Sequence, residues 1–267
     1  MKTLKTLVLG LVLIGLISSA FAQEAALPKT LVPANKLSGW WCSGWWKARH
    51  EANKARIEQG NVDFLLLGDS ITHGWDGGAY ASAFGWDALG NEVVEKYYYG
   101  DRNFVNMGFG GDETQHILWR LNDAPMNKIQ PKAAMLLIGI NSLVDDWPNC
   151  TDNVALGIKA CVDKLQSLYP DIKILVLHIF IAHEKPDDPI RARLAKTNAA
   201  VDELLKDYKN VTIMDLNHLW LNPDGTMNKS LAPDCCHPNK EGYKRWGAAV
   251  EPVISKMLGV EAKKPME

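Results

Sequence analysis

The sequence is short of several things. Its 267 residues hold no internal repeat and no low-complexity segment. Neither sign of charge dominates: 29 Lys and Arg face 31 Asp and Glu, a formal net charge of −2. With no basic stripe, nucleic acid is not an expected partner. Cysteine is sparse and odd in number (Cys42, Cys150, Cys161, Cys235 and Cys236), so at least one thiol has no partner within the chain. Cys150 precedes, and Cys161 lies within, a stretch patterned as helix from a cap at Thr151 or Asp152 through Tyr169. Helical rise separates them by about 13–15 Å, well beyond the roughly 4.4–6.8 Å between disulfide Cα atoms. Adjacent Cys235 and Cys236, about 3.8 Å apart across a trans peptide, would close a strained though not forbidden ring. Cys42 with one of that pair is the freer choice. Metal-ligand clusters are missing too. PDCCHPN (233–239) is rich in Cys and His, but adjacent cysteines rarely converge on one ion and no second cluster stands at a usual spacing. The remaining histidines (His50, His73, His116, His178, His183, His218) are scattered.

No apolar run is long enough to span a bilayer comfortably. At the N-terminus, Lys2 and Lys5 precede the run Leu7 to Ile17, and Ala20-Phe21-Ala22 follows. A basic start, a short apolar core and an A-x-A site describe a secretory signal peptide. The expectation is a signal over residues 1–22, cleavage after Ala22, and a secreted or periplasmic product with no membrane span. No cysteine follows the A-x-A site, which argues against a lipid anchor. Cleavage would remove two lysines and no acid, leaving 27 basic against 31 acidic residues.

What the chain does have is alternation. Residues 23–39 read as a polar, proline-containing lead-in. Short apolar runs follow: Val62 to Leu67, Phe104 to Met107 and Ala133 to Ile138, each ended by a glycine (Gly68, Gly108, Gly139), then Ile172 to Ile181 and Val211 to Met214. Between them, 113–121, 152–169 and 190–207 carry apolar positions at helical spacing. A first helix is expected at 45–59 and a last at 240–258, capped by Asn239. Five strands alternating with helices predict an α/β fold with a parallel sheet covered on both faces. Sites in such sheets gather beyond the carboxyl ends of the strands. Here those ends read Gly68-Asp69-Ser70, Gly108-Phe109-Gly110-Gly111-Asp112 and Gly139-Ile140-Asn141.

Ser70, directly after the first strand, either caps the next helix or serves as a nucleophile, which requires a base. In PDCCHPN, Asp234 and His237 stand three apart between two prolines. A tight loop at that spacing can bring the carboxylate to Nδ1 and leave Nε2 to accept a proton. Acyl transfer also needs donors for a developing oxyanion. Gly111 can offer a backbone N–H and Asn141 a side-chain amide; singly, each is equally a turn residue.

Together these residues resemble the SGNH, or GDSL-type, hydrolase family. That pattern has a serine in GDS, a glycine, an asparagine and a histidine in chain order, here Ser70, Gly111, Asn141 and His237. The likeness is closest to the catalytic subunits of intracellular platelet-activating-factor acetylhydrolase and their secreted bacterial relatives. It runs from about residue 44 to 258 through GWWKARH (44–50), LLLGDSITHGW (65–75), NMGFGGDETQHILWRL (106–121) and DGTMNKS…DCCHPNKEGY (224–243). It implies a flavodoxin-like three-layer sandwich (the SGNH hydrolase fold) with strand order 2-1-3-4-5. Residues 40–260 would form a single hydrolase domain, followed by a tail at 261–267. It also implies a serine nucleophile at Ser70, a base at His237 oriented by Asp234, an oxyanion hole from the Ser70 and Gly111 N–H groups and Asn141, and no metal or organic cofactor. The chain departs from the pattern twice. Gly139-Ile140-Asn141-Ser142 stands where relatives read GTND or GTNN, which loses polar neighbours of the asparagine. Cys235-Cys236 replaces a small or apolar pair.

WWCSGWW (40–46) holds four of ten tryptophans. Large aromatics pack cores or, exposed, stack on sugar rings. Asp69, Trp75 and Ile140 are candidate pocket residues, Trp75 as a wall five positions beyond Ser70. Asp76-Gly77-Gly78 is a loop suited to shaping the acyl or leaving-group side. With no long apolar lid segment, short acyl groups are favoured. The expected partner is a small-molecule or glycan acyl ester. The alternatives are a glycan-binding module whose esterase site has decayed, and a lipase or thioesterase acting on longer chains.

Overall fold

The structure, a computed structural model, describes residues 27–40, 42–75 and 102–264. The expected signal segment and the Asp76-Gly77-Gly78 loop lie outside the described residues. The elements run α1 (Ser43–Glu58), β1 (Phe64–Gly68), α2 (Ser70–His73), β2 (Phe104–Gly108), α3 (Thr114–Asp123), β3 (Ala133–Leu137), α4 (Ile140–Leu143), α5 (Cys150–Leu168), β4 (Lys173–Leu177), α6 (Pro189–Leu205), β5 (Val211–Met214) and α7 (Lys240–Leu258).

The five strands form one parallel sheet in the order β2-β1-β3-β4-β5, the order the family resemblance implies. β1 and β3 are buried at every position. Central parallel strands covered on both faces read as continuous apolar runs, here FLLLG and AAMLL. Edge strand β5 is half-exposed. Helices α3, α5 and α6 pack side by side in one layer, while α7 packs on β3 and β4. The result is a three-layer α/β fold.

Register places the site. Gly68 at the end of β1 pairs with Gly108 of β2 and with Leu137 of β3. The three following segments therefore leave the sheet at one height. Helix α2 lies directly on this edge. A Cβ on Gly68 would meet Thr72 Oγ1 at 2.1 Å and the Leu137 carbonyl oxygen at 2.4 Å. On Gly108 it would meet the backbone nitrogen of His73 at 2.4 Å.

The structure corrects three local expectations. The apolar run Ile172 to Ile181 is strand only over Lys173–Leu177. Beyond it, side-chain amides replace the ladder: Ile179 N–H donates to Asn198 Oδ1 at 2.9 Å and Ile181 N–H to Asn217 Oδ1 at 2.6 Å. The segment stays buried without remaining in the sheet. Helix α5 begins at Cys150 rather than after Thr151 or Asp152, because Asn149 takes a left-handed conformation (φ 58°) and turns the chain there. Asp69, not Ser70, caps α2, accepting from Ile71 N–H at 3.0 Å. Asn239 caps α7 as expected, accepting from Gly242 N–H at 3.1 Å.

All five thiols are free. Cys42 is buried with Trp46 and Phe109, apart from the main core that holds Cys235, so the Cys42 pairing does not form.

Because the two nearest atoms facing Gly108 are backbone, they cannot swing aside. Gly108→Ala is expected to cost about 1–3 kcal/mol or more, a drop of several degrees in a thermal melt. Gly44→Ala, where an added Cβ meets nothing within 4 Å, should leave the melting temperature unchanged or raise it. Equal behaviour of the two variants would contradict the close approach of α2.

Candidate active site

The C-terminal loop builds much of itself. Asp234 Oδ1 accepts from the backbone N–H groups of Cys236 (3.0 Å) and His237 (2.7 Å), while Oδ2 lies 2.6 Å from His237 Nδ1. One carboxylate thus shapes the turn with one oxygen and orients the ring with the other. Burial pushes the Asp234 carboxyl up, but the hydrogen bonds from the His237 backbone and ring outweigh it and hold the group below its ordinary range. Cys235 takes a left-handed conformation at φ 61°, and its backbone is fixed by Cys235 N–H to Ala232 O and His183 N–H to Cys235 O, both 2.9 Å. The Cys236 thiol is pushed up to about 12 by burial, with Asp69 and Asp234 adding to the shift. A thiol held protonated is a poor nucleophile.

This loop meets the sheet edge at Ser70: His237 Nε2 lies 2.8 Å from Ser70 Oγ. Ser70 opens α2 and is mostly buried. Its partner arrives from 167 residues away, carried by α7. Tyr243 in the first turns of that helix donates its hydroxyl to Ile71 O at 2.7 Å, fastening α7 to α2.

The other side of the site is the run Phe109–Glu113. Its N–H groups are nearly all engaged: Phe109 to Gly68 O (3.1 Å), Gly110 to His73 Nδ1 (3.3 Å), Asp112 to Phe109 O (3.1 Å) and Glu113 to His116 Nδ1 (2.9 Å). Among the described residues, the N–H groups of Gly111 in this run and of Ser70 at the helix start find no acceptor. Gly111 is left-handed at φ 74°, a conformation glycine adopts without steric cost. Asn141 donates one amide hydrogen to Asp112 O at 2.9 Å, leaving the second. Ser70, Gly111 and Asn141 thus follow the three strand ends that share one register.

Three candidates are elsewhere. Trp75 is core, not pocket wall: it is 1% exposed and packs edge-on against Trp246 and Tyr243 of α7. Ile140 is buried in the main core. Asp69 is 1% exposed, and burial pushes its carboxyl up to about 7; it caps α2 instead of lining a pocket. Of the tryptophan-rich segment, Trp46 is fully buried and Trp40 half-exposed.

A model of the family of GDSL-like lipases and acylhydrolases matches residues 66–245. The chain belongs to that family. Platelet-activating factor acetylhydrolase IB subunit alpha2 from Rattus norvegicus and from Homo sapiens are each 31% identical over 154 residues. That match covers 58% of this chain and 65% of theirs, so the chain aligns with just under two thirds of these relatives' length. Among solved structures, an acetylxylan esterase from Geobacillus stearothermophilus superposes with a TM-score of 0.53 at 19% identity over 76% of this chain and 96% of its own. An acetyl xylan esterase structure gives 0.56 at 19% identity over 72% and 100%. At such identities these two likenesses concern the fold.

Against the family's usual block, Ile140 and Ser142 flank Asn141 with less polarity, yet a polar tie remains. Ser142 Oγ donates to Glu113 Oε2 at 2.7 Å, and Lys29 pairs with the same carboxylate oxygen at 3.0 Å. Asp112 is fully buried. It is salt-bridged to Arg120, accepts from Trp46 Nε1 at 2.8 Å and has Lys36 at 3.6 Å. The sequence reading missed Lys29, Lys36, Asp112, Glu113 and Arg120. One signal was present for Glu113: with His116 three positions on, it forms a capping box at α3. Nothing in the lead-in marks Lys36 as other than a solvated lysine.

The histidines flanking this loop are buried and neutral. Burial holds His73 down to about 2, with Arg49 and Arg120 adding, and His116 down to about 3; His50 is also lowered by burial. In the unfolded chain each protonates near pH 6.5. Below that pH the unfolded state binds more protons, so this stability is complete above about pH 6.5 and fades on acidification, by roughly 1.4 kcal/mol per pH unit for each of His73 and His116. Asp69 has the opposite sign, contributing at acid pH and losing its contribution as pH rises through about 7, but it offsets only one histidine. The melting temperature should therefore fall between pH 7 and pH 5; an unchanged or higher value at pH 5 would contradict buried neutral imidazoles.

Proposed function

We propose that this chain is an exported serine esterase that removes short acyl groups, chiefly acetyl, from carbohydrate esters. The reading is carried by one observation: Ser70 Oγ, the His237 ring and the Asp234 carboxylate are joined by hydrogen bonds of 2.8 and 2.6 Å. Ser70 Oγ attacks the ester carbonyl as its proton passes to His237 Nε2. Asp234 holds the ring and stabilises the imidazolium that forms. The developing oxyanion is received by the N–H groups of Ser70 and Gly111 and by the Asn141 amide. His237 then protonates the leaving alcohol, an acyl-Ser70 intermediate remains, and water activated by His237 releases the acid. The residues used need neither metal nor organic cofactor.

Acetyl is favoured by the relatives, which are platelet-activating factor acetylhydrolases, and carbohydrate by fold neighbours that are acetylxylan esterases. Export rests on the sequence of residues 1–22. An intact hydrogen-bonded triad weighs against a decayed, purely sugar-binding site.

Ser70→Ala should keep the wild-type melting temperature and lose p-nitrophenyl acetate hydrolysis by about 10³-fold or more. Wild-type activity in purified Ser70→Ala would refute the assignment. With p-nitrophenyl esters from C2 to C12, kcat/KM should be highest at C2; a maximum at C8 or above would replace the acetyl reading with a longer-chain lipase or thioesterase. Acetate release from acetylated glycans tests the alcohol half.

A further inference from the structure

The lead-in before α1 is packed against the candidate oxyanion loop. Thr30 Oγ1 donates to Asn153 O at 2.7 Å, Thr114 Oγ1 donates to Thr30 O at 2.9 Å, and Ala34 N–H donates to Gln115 O at 3.1 Å. These bonds anchor a strap that delivers Lys36 to the loop. The Lys36 side chain is 3% exposed, and its ammonium donates to Gly111 O at 2.5 Å. The ammonium also lies 4.9 Å from the centre of the Trp40 ring.

Neutralising Asp112 is not a sufficient reason for this lysine. Asp112 already has the Arg120 guanidinium and the Trp46 indole N–H. Lys36 is farther from its carboxylate, at 3.6 Å, than from the Gly111 carbonyl. Gly111 has no side chain to hold it and sits in a conformation with a wide choice of backbone angles. The peptide that follows it is gripped at both ends, its oxygen by Lys36 and its N–H by Phe109 O at 3.1 Å. That grip fixes one of the two peptide planes flanking Gly111 and so restricts the direction of its N–H, which belongs to the other plane. The ammonium also places a positive charge in a poorly solvated region at Gly111, where charge acts strongly.

We infer that Lys36 is a positioning residue for the oxyanion hole, holding Gly111 so that its N–H faces the acyl oxygen on Ser70. This rests on the esterase reading above and adds to it a residue that lies well before the family match, which begins at residue 66.

The test compares Lys36→Met and Lys36→Arg with wild type on p-nitrophenyl acetate. Fluorophosphonate labelling of wild-type Ser70 serves as the independent check of the esterase reading. A wild-type protein that neither turns over nor labels defeats that reading, and this inference with it. Given an active wild type, Lys36→Met should lower kcat about 10–100-fold with KM within about threefold. Lys36→Arg, which keeps charge and donors, should recover at least about fivefold of that loss. Folded Lys36→Met with kcat within about twofold of wild type overturns the inference. So does a kcat loss that only tracks a fallen melting temperature and is not recovered by arginine. Should Lys36→Met fail to fold, Lys36→Gln decides by the same kcat criterion.

Discussion

The architecture turns on the close approach of α2 to the ends of β1 and β2. Gly68 and Gly108 leave no room for even a methyl group beneath Thr72 and His73. With the helix pressed onto the edge, Ser70 becomes its first residue, its hydroxyl lies at the carboxyl end of β1, and its N–H has no helical partner. The Phe109–Glu113 run leaves the sheet at the same height because Gly108 is level with Gly68. A sheet slipped by one residue would place these segments at different levels and turn the strand side chains to the other face.

Around that edge the polar groups form one connected set. Asp112 receives Arg120 and Trp46 through its side chain, and its backbone oxygen receives Asn141. Glu113 receives Ser142 and Lys29, and Lys36 reaches Gly111. In a poorly solvated interior each bond is strengthened by its neighbours, and each unpaired member would be costly. The segments carrying Gly111 and Asn141 are therefore tied to each other and to the strap before α1. The Asp234–His237 pair needs none of this to form, since its own turn builds it. It depends on the rest only for where it is delivered, through α7 and the Tyr243 bond to Ile71 O.

The tryptophans divide accordingly. Trp75 and Trp246 pack with Tyr243, and Phe180 bridges Trp246 and Trp220. These rings hold α7 and the segment after β4 against α2. Trp46 packs over Phe109 beneath the loop. Much of the aromatic content thus holds the site's elements together, while Trp40 is exposed beside the strap.

Local chemistry was legible without coordinates. Apolar runs, three of them ending in glycine, marked the strands, helical spacing marked α3, α5, α6 and α7, and Asp-x-x-His between prolines marked a self-made carboxylate–imidazole turn. Each depends on neighbours a few positions apart, whose preferences survive in the sequence. The family pattern added the strand order and the four site residues. What stayed hidden depends on distant partners. The run after Leu177 leaves the sheet because Asn198 and Asn217 replace its ladder. Trp75 and Ile140 are buried by helices and strands elsewhere in the chain, and Asp69 rather than Ser70 caps α2. A lysine in an unremarkable lead-in becomes a buried partner of Gly111. The sequence by itself determined which residues could do chemistry and the order in which they appear. Only tertiary structure decided which polar groups would meet, because burial and distance are properties of segments brought together from across the chain.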